Sequence, residues 1–178
     1  MYQALLLIGV GGVGKSTVAD AIGRVWTASG AVTAVVDADA LAQFGPPPTS
    51  GGVRVGGFYD RLKCVNLAAV WANYKAIGAR YIVVSAGIDN TAVRTQFAES
   101  LPGCTVQVVR LTAAADTVRA RLRGRDSTFK HDRHLEKLAE HEAILDAAGI
   151  ENFVVVNDRP ADVVATEILI RAGWTGLR

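Results

Sequence analysis

Short unbroken apolar runs alternate along the chain with longer stretches in which apolar residues recur three and four positions apart. Gln3 to Ile8 is such a run and breaks at glycines, as a strand buried on both faces of a parallel sheet does. Ser16 to Ala28 carries Val18, Ile22, Val25 and Trp26 at helical spacing and closes at Gly30. "AVTAVVDAD" reads as a second buried strand. "GPPPTSGGVRVGG", Gly45 to Gly57, then places three prolines and five glycines where neither a helix interior nor a central strand can form. It is read as a functional loop, since too little chain precedes it for an independent domain. Val65 to Ile77 resumes the helical period and leads into the strand "RYIVVSAG". A helix (about 90–99), the strand "TVQVVRL", a helix (about 113–123), a polar basic segment, a helix (about 133–148), the strand "NFVVVN" and a helix after Pro160 complete the pattern.

Five apolar strands separated by helices predict an α/β fold, a parallel sheet in the order 2-3-1-4-5 with helices on both faces and right-handed crossovers. Ligands in such sheets bind outside the carboxyl ends of the strands. With 178 residues, half of them apolar and a fifth charged, the expectation is one domain over 1–178. A net charge of +2 argues against a general nucleic-acid or membrane binder. No apolar run approaches the ~20 residues of a membrane span, and Cys64 and Cys104 are too isolated for a metal or disulfide motif. Reduced core thiols in a cytoplasmic protein are expected.

"GVGGVGKST", Gly9 to Thr17, matches GxxxxGK[ST] in full, between a predicted strand and a predicted helix. The residue types suit phosphate binding. Gly9, Gly11, Gly12 and Gly14, with Val13 between them, let backbone N–H groups turn toward an anion at a helix N-terminus. Lys15 adds a point charge for the β- and γ-phosphates, Ser16 a hydroxyl for magnesium, and Thr17 a contact to the α-phosphate. The candidate strand for a metal-holding acid, "YIVVSAG", carries Ser85 instead, and the final strand lacks a guanine-reading NKxD. The missing carboxylate has to come from elsewhere. "DAD" closes the second strand, and strand alternation would turn Asp37 and Asp39 to the same side, near the loop. Two such carboxylates repel unless a cation sits with them, and phosphoryl transfer needs a group to take the acceptor's proton. The other reading makes them caps of a following helix that starts at "DALA".

Three motifs together resemble the small P-loop kinases, the group of adenylate, shikimate, adenylylsulfate and dephospho-CoA kinases and chloramphenicol phosphotransferase. They are the loop, the DAD, similar to the DxD of shikimate kinase and the DAD of dephospho-CoA kinase, and "RLRGR", Arg121 to Arg125, similar to the RLxGR at the lid entrance of adenylate kinases. The resemblance follows the element order of the whole chain and implies a P-loop NTPase fold with a small lid, here about 123–134. It implies ATP and Mg²⁺ as cofactors, with Asp37 joining the magnesium shell through water and Asp39 facing the acceptor hydroxyl as base. It also implies that Arg121 flanks adenine and that Arg125 reaches phosphate to act in catalysis beside Lys15. Asn157 would border adenine. A solvated basic face remains the alternative for the arginines.

On the acceptor side, the loop and the "FYDRLKC" after it (about 43–64) offer Arg54, Tyr59, Arg61 and Lys63, while "SAGID" offers Ser85 and Gly87; a merely solvated loop is the alternative. Trp26, Trp71 and Trp174 sit in apolar helical settings and are read as core. The expected activity is an ATP-dependent kinase, a phosphotransferase whose partner is a small-molecule hydroxyl acceptor, with no nucleic acid or membrane. Asp39 to Pro46 also fits a "DxLxxxxP" run similar to chloramphenicol phosphotransferase, which keeps an antibiotic-inactivating O-phosphotransferase open. A dephospho-CoA or adenylylsulfate kinase-like enzyme and a nucleotide-binding regulatory protein with weak ATPase activity also remain open. The sequence sets no oligomeric state.

Overall fold

The computed structural model describes residues 1–123 and 128–174, without the side chains of 128–137. In chain order the elements are β1 (Tyr2–Ile8), α1 (Lys15–Ala28), β2 (Thr33–Asp37), a 3-10 turn (Ala40–Ala42), β3 (Thr49–Ser50), β4 (Val53–Arg54), α2 (Phe58–Ala76), β5 (Tyr81–Ser85), α3 (Thr91–Glu99), β6 (Cys104–Thr112), α4 (Ala115–Arg123), α5 (Thr128–Ala148), β7 (Phe153–Val156) and α6 (Ala161–Arg171).

Five strands form one parallel sheet in the order β2-β5-β1-β6-β7, which is the expected 2-3-1-4-5 when its strands are counted along the chain. β1 is its centre and is read correctly from the sequence because both its faces are covered: Leu5, Leu6, Leu7 and Ile8 are fully buried. The crossover from β1 to β2 runs one way along the sheet and the later ones run the other way. Right-handedness therefore puts α1 on one face and α2, α3 and α5 on the opposite face. The direction changes at β1, so the loop that leaves β1 opens at the switch point where sheets of this kind bind ligands.

Packing follows the apolar stripes. α1 buries Val18, Ala19, Ile22 and Trp26, and its Gly23 lets it approach β2 so closely that a Cβ there would lie 2.5 Å from Val35 Cγ2. Trp26, Tyr81 and Trp174 form one aromatic cluster with centroids 4.8–5.8 Å apart, and Trp71 takes the edge of Tyr2 at 5.6 Å. The three tryptophans are core, each no more than 3 % exposed.

Four features differ from the sequence expectation. The loop carries a small antiparallel hairpin, β3 with β4, turned by Gly51 and Gly52 at φ 59° and 79°, the positive values that a two-residue type I′ turn demands. α2 starts at Phe58 rather than Val65, so residues assigned to the end of an acceptor loop are its first two turns. β2 ends at Asp37, before the second acid of the DAD. α5 starts five residues earlier than expected, so the end of the expected lid, 128–134, forms its first two turns, while 124–127, Arg125 included, lie outside the described residues.

Candidate active site

The loop between β1 and α1 is held from several sides. Gly9, Gly12 and Gly14 have φ of 138°, 80° and 100°, the left-handed side of backbone space. At Gly9 a Cβ would meet the Leu111 carbonyl oxygen at 2.5 Å, so β6 presses directly on the start of the loop. α1 begins with a bare end, having neither a side-chain cap at Gly14 nor an acidic residue in its first turn. α3, by contrast, is capped by Asn90, which accepts from the Val93 N–H at 3.0 Å. An uncapped N-terminus leaves backbone N–H groups and the positive end of the helix dipole turned toward the glycine-rich loop. Lys15 Nζ lies over the loop and donates to the carbonyls of Gly9 (2.8 Å) and Val10 (3.1 Å).

Two clefts share the loop as their wall. One, of ≈310 Å³, is lined by the loop from Gly11 to Thr17 without Val13, together with Asp37, Asp39, Ala40, Gln43, Ser85 and Ala86. The other, of ≈530 Å³, is lined by Gly12, Gly14, Thr17, Ala120, Arg121, Asn157, Arg159 and Ala161. Gly12, Gly14 and Thr17 face both. A molecule with a polyanionic middle and two different ends would span them across the loop.

In the first cleft, Asp37 Oδ2 accepts from Ser16 Oγ at 3.0 Å, and Ser16 Oγ lies 3.5 Å from the buried Ser85 Oγ. Asp37 Oδ1 accepts the Asp39 N–H at 3.0 Å. That side-chain-to-backbone turn takes the chain out of strand geometry, so Asp39 stands at helical dihedrals (φ −68°, ψ −30°). The expected strand alternation of the two acids is thereby corrected; a turn brings both carboxylates to one cleft. Neither caps the 3-10 turn with its side chain: Asp39 makes no capping bond and pairs with Lys63 Nζ at 2.6 Å.

In the second cleft, Arg121 donates through Nη1 to the Val13 carbonyl and through Nη2 to the Asn157 carbonyl, both at 3.0 Å. Asn157 Nδ2 donates to the same Val13 oxygen at 2.7 Å. These two residues, remote in sequence, fasten the crest of the loop to α4 and to the turn after β7.

Other candidates stand apart. Arg54 is exposed on β4, Tyr59 Oη donates to the Phe44 carbonyl at 3.1 Å, Arg61 is exposed on α2 and Gly87 is exposed after β5; none of them lines either cleft. Sequence reasoning missed Arg110. It is 5 % exposed on β6 and donates to Glu142 (2.6 Å) and Asp146 (2.7 Å) of α5, with Glu151 at 3.8 Å. Burial works against its charge, but the hydrogen bonds to Glu142 and Asp146 outweigh that and raise its pKa. An arginine inside "VVRLT" was the available signal, because a charge in a doubly covered strand demands partners.

Fold and loop together define the class: this is the P-loop NTPase architecture in the form found in small P-loop kinases. No protein-family model matches the sequence, and no curated protein does. Among solved structures, the chain is similar to a tunicamycin resistance protein of Deinococcus radiodurans, with a TM-score of 0.68, 17% identity and 98% of each chain covered. It is also similar to a sugar kinase of a Janibacter species (TM-score 0.65, 18% identity, 96% of this chain and 94% of that one). A gluconokinase of Sinorhizobium meliloti gives a TM-score of 0.62 at 23% identity over 98% and 93%. At these identities the likeness establishes the fold.

Proposed function

We propose that the protein is an ATP-dependent phosphotransferase that moves the γ-phosphoryl group to a hydroxyl of a small molecule. One observation carries this reading: a phosphate-type loop forms the common wall of two clefts, and the cleft away from Asn157 holds two carboxylates beside Lys15 and Ser16. A protein that only held a nucleotide would need the loop and the far cleft. Carboxylates facing the phosphate end suit a reaction.

In this reading adenosine occupies the cleft of Arg121 and Asn157, with the loop N–H groups, Lys15 and Thr17 on the phosphates. Ser16 and Asp37 fit a magnesium ion, being two hard oxygen donors 3.0 Å apart at the phosphate end, with room for the waters magnesium keeps. Bound there, the ion would neutralise phosphate charge. Asp39 takes the proton of the acceptor hydroxyl. Arg125 would add positive charge over the phosphates from the lid. Ser85, in the wall of the aspartate cleft, falls to the acceptor side; Arg54, Tyr59, Arg61 and Gly87 line neither cleft and would reach an acceptor only from outside it.

The test is a screen of hydroxyl compounds with γ-labelled ATP and magnesium, scored by phosphoryl mass gain on the compound. Sugars, gluconate, shikimate and nucleoside antibiotics belong in it, the last because a tunicamycin resistance protein shares the fold. Transfer to one compound establishes the reading. Tight ATP binding with no acceptor-dependent turnover would favour a regulatory nucleotide-binding protein.

A further inference from the structure

Three side chains on one face of α2 hold the segment that follows β2. Tyr59 Oη donates to the Phe44 carbonyl (3.1 Å), Lys63 Nζ meets Asp39 Oδ1 (2.6 Å) and Asn66 Nδ2 donates to the Leu41 carbonyl (2.6 Å). Residues 59, 63 and 66 lie on one helical stripe. Two of these contacts grip backbone, which is what holding a segment requires. The middle one grips a side-chain oxygen at the phosphate cleft instead.

The local backbone does not fix that carboxylate. Asp39 starts the 3-10 turn without a capping bond, its own N–H is given to Asp37, and its side chain is 70 % exposed. An aspartate in that situation samples its rotamers freely. Lys63 supplies the restraint from the covered side. Its side chain is only 14 % exposed, so the stem is packed before the ammonium meets the carboxylate. An ordinary surface pair must order two long side chains, whereas here one is already ordered. The pair engages Oδ1, and Oδ2 accepts from no described residue.

We propose that Lys63 is a positioning residue for phosphoryl transfer: it fixes the Asp39 carboxylate so that Oδ2 faces the acceptor hydroxyl. The inference rests on the phosphotransferase reading above. In the step it serves, the acceptor oxygen bonds to the γ-phosphorus and the bond from that phosphorus to the β,γ-bridging oxygen breaks, its electron pair leaving on ADP. The acceptor proton passes to Asp39 Oδ2. Lys63 acts through Asp39 and keeps its own proton.

The experiment compares full-length wild type with Lys63→Met, Lys63→Arg and Asn66→Ala. ATP turnover is measured with magnesium and, separately, a hexose, gluconate, shikimate, a nucleoside or water alone; affinity for a fluorescent ATP analogue is measured alongside. Lys63→Met keeps the stem volume, and Lys63→Gln replaces it should it fail to fold. The expected result is a kcat lowered on the order of 10²-fold at unchanged analogue affinity, as for a misplaced reacting group, with partial rescue by arginine. Asn66→Ala, which removes a grip that does not touch the carboxylate, is expected to remain near the wild-type rate. Wild-type turnover in Lys63→Met, or an equal loss in Asn66→Ala, overturns the positioning role and leaves the phosphotransferase reading standing. A wild type that turns over ATP with none of these acceptors removes both.

Discussion

Asn157 Nδ2 donates to the carbonyl oxygen of Val13 across 2.7 Å, tying the turn after the last sheet strand to the crest of the glycine-rich loop. Asn157 is 4 % exposed, and its backbone N–H donates to the Thr112 carbonyl at 2.7 Å, so the amide is fixed from behind. A Cβ at Gly14 would lie 2.6 Å from Nδ2, which shows how little room the contact leaves. Asn157→Ala strips the Val13 carbonyl of one of its two donors. A lost buried hydrogen bond costs about 1–2 kcal/mol, so nucleotide affinity is expected to fall about tenfold. Titration with a fluorescent ATP analogue measures it. Unchanged affinity would mean that Arg121 alone keeps the loop in shape.

The buried Arg110 predicts a stability effect. Arg110→Met keeps the volume but leaves Glu142, Asp146 and Glu151 without their cation. Removing one partner of a buried pair costs about 3–5 kcal/mol, and the low end applies here because the Asp146 side chain is 71 % exposed to water. For a chain of this size, a melting temperature lower by about 6–12 °C is expected in scanning calorimetry. A melting point within a degree or two of wild type would show that the ion pairs contribute no net stability.

What the sequence disclosed, and what it hid, divides along physical lines. Doubly buried strands announce themselves as apolar runs, so β1, β5 and β6 were legible, and the P-loop spacing fixed where α1 begins. Local competition was harder to read. Asp37 diverts the chain by accepting the Asp39 N–H, and no periodicity reveals a side chain that outbids the next strand bond. The start of α2 was hidden because Gly56 and Gly57 read as loop while "FYDRLKC" shows no clean apolar stripe. The Gly51–Gly52 pair was a hairpin signal that the surrounding prolines masked. Lys63 was legible only as a basic residue near the acceptor side, because its partner is set by how α2 packs over the 3-10 turn.

The two thiols give a chemical prediction. Burial, aided by the charge of Asp60 and opposed by Lys63, pushes the Cys64 thiol up to about 11. Burial against the opposing charge of Lys75 does the same for Cys104, also to about 11. The thiolate is the reactive form, so at pH 8 only about one molecule in a thousand presents it at either site. Alkylation by iodoacetamide is expected to run on the order of 10²-fold slower than for an unperturbed thiol, and to quicken about tenfold per pH unit up to the pKa. Mass spectrometry of the native protein follows it. Rapid modification of either thiol at pH 8 would show that its helix or strand end opens readily.

Asp37 and Asp39 are expected to fail in different ways when neutralised. Asp37→Asn can still accept the Asp39 N–H, so the turn survives, but the charge beside Ser16 Oγ is gone. The magnesium concentration for half-maximal ATP turnover should then rise about tenfold or more, with activity partly recovered when magnesium is raised. Asp39→Asn leaves Ser16 and Asp37 in place and removes the proton acceptor. Its magnesium dependence and nucleotide affinity should match wild type, while kcat falls by about 10²–10⁴ and excess magnesium restores nothing. Magnesium titrations of turnover, run beside nucleotide binding, separate the two. Identical magnesium profiles in both variants would mean that the carboxylates act as one unit, and the division into a metal-side and an acceptor-side aspartate would fall.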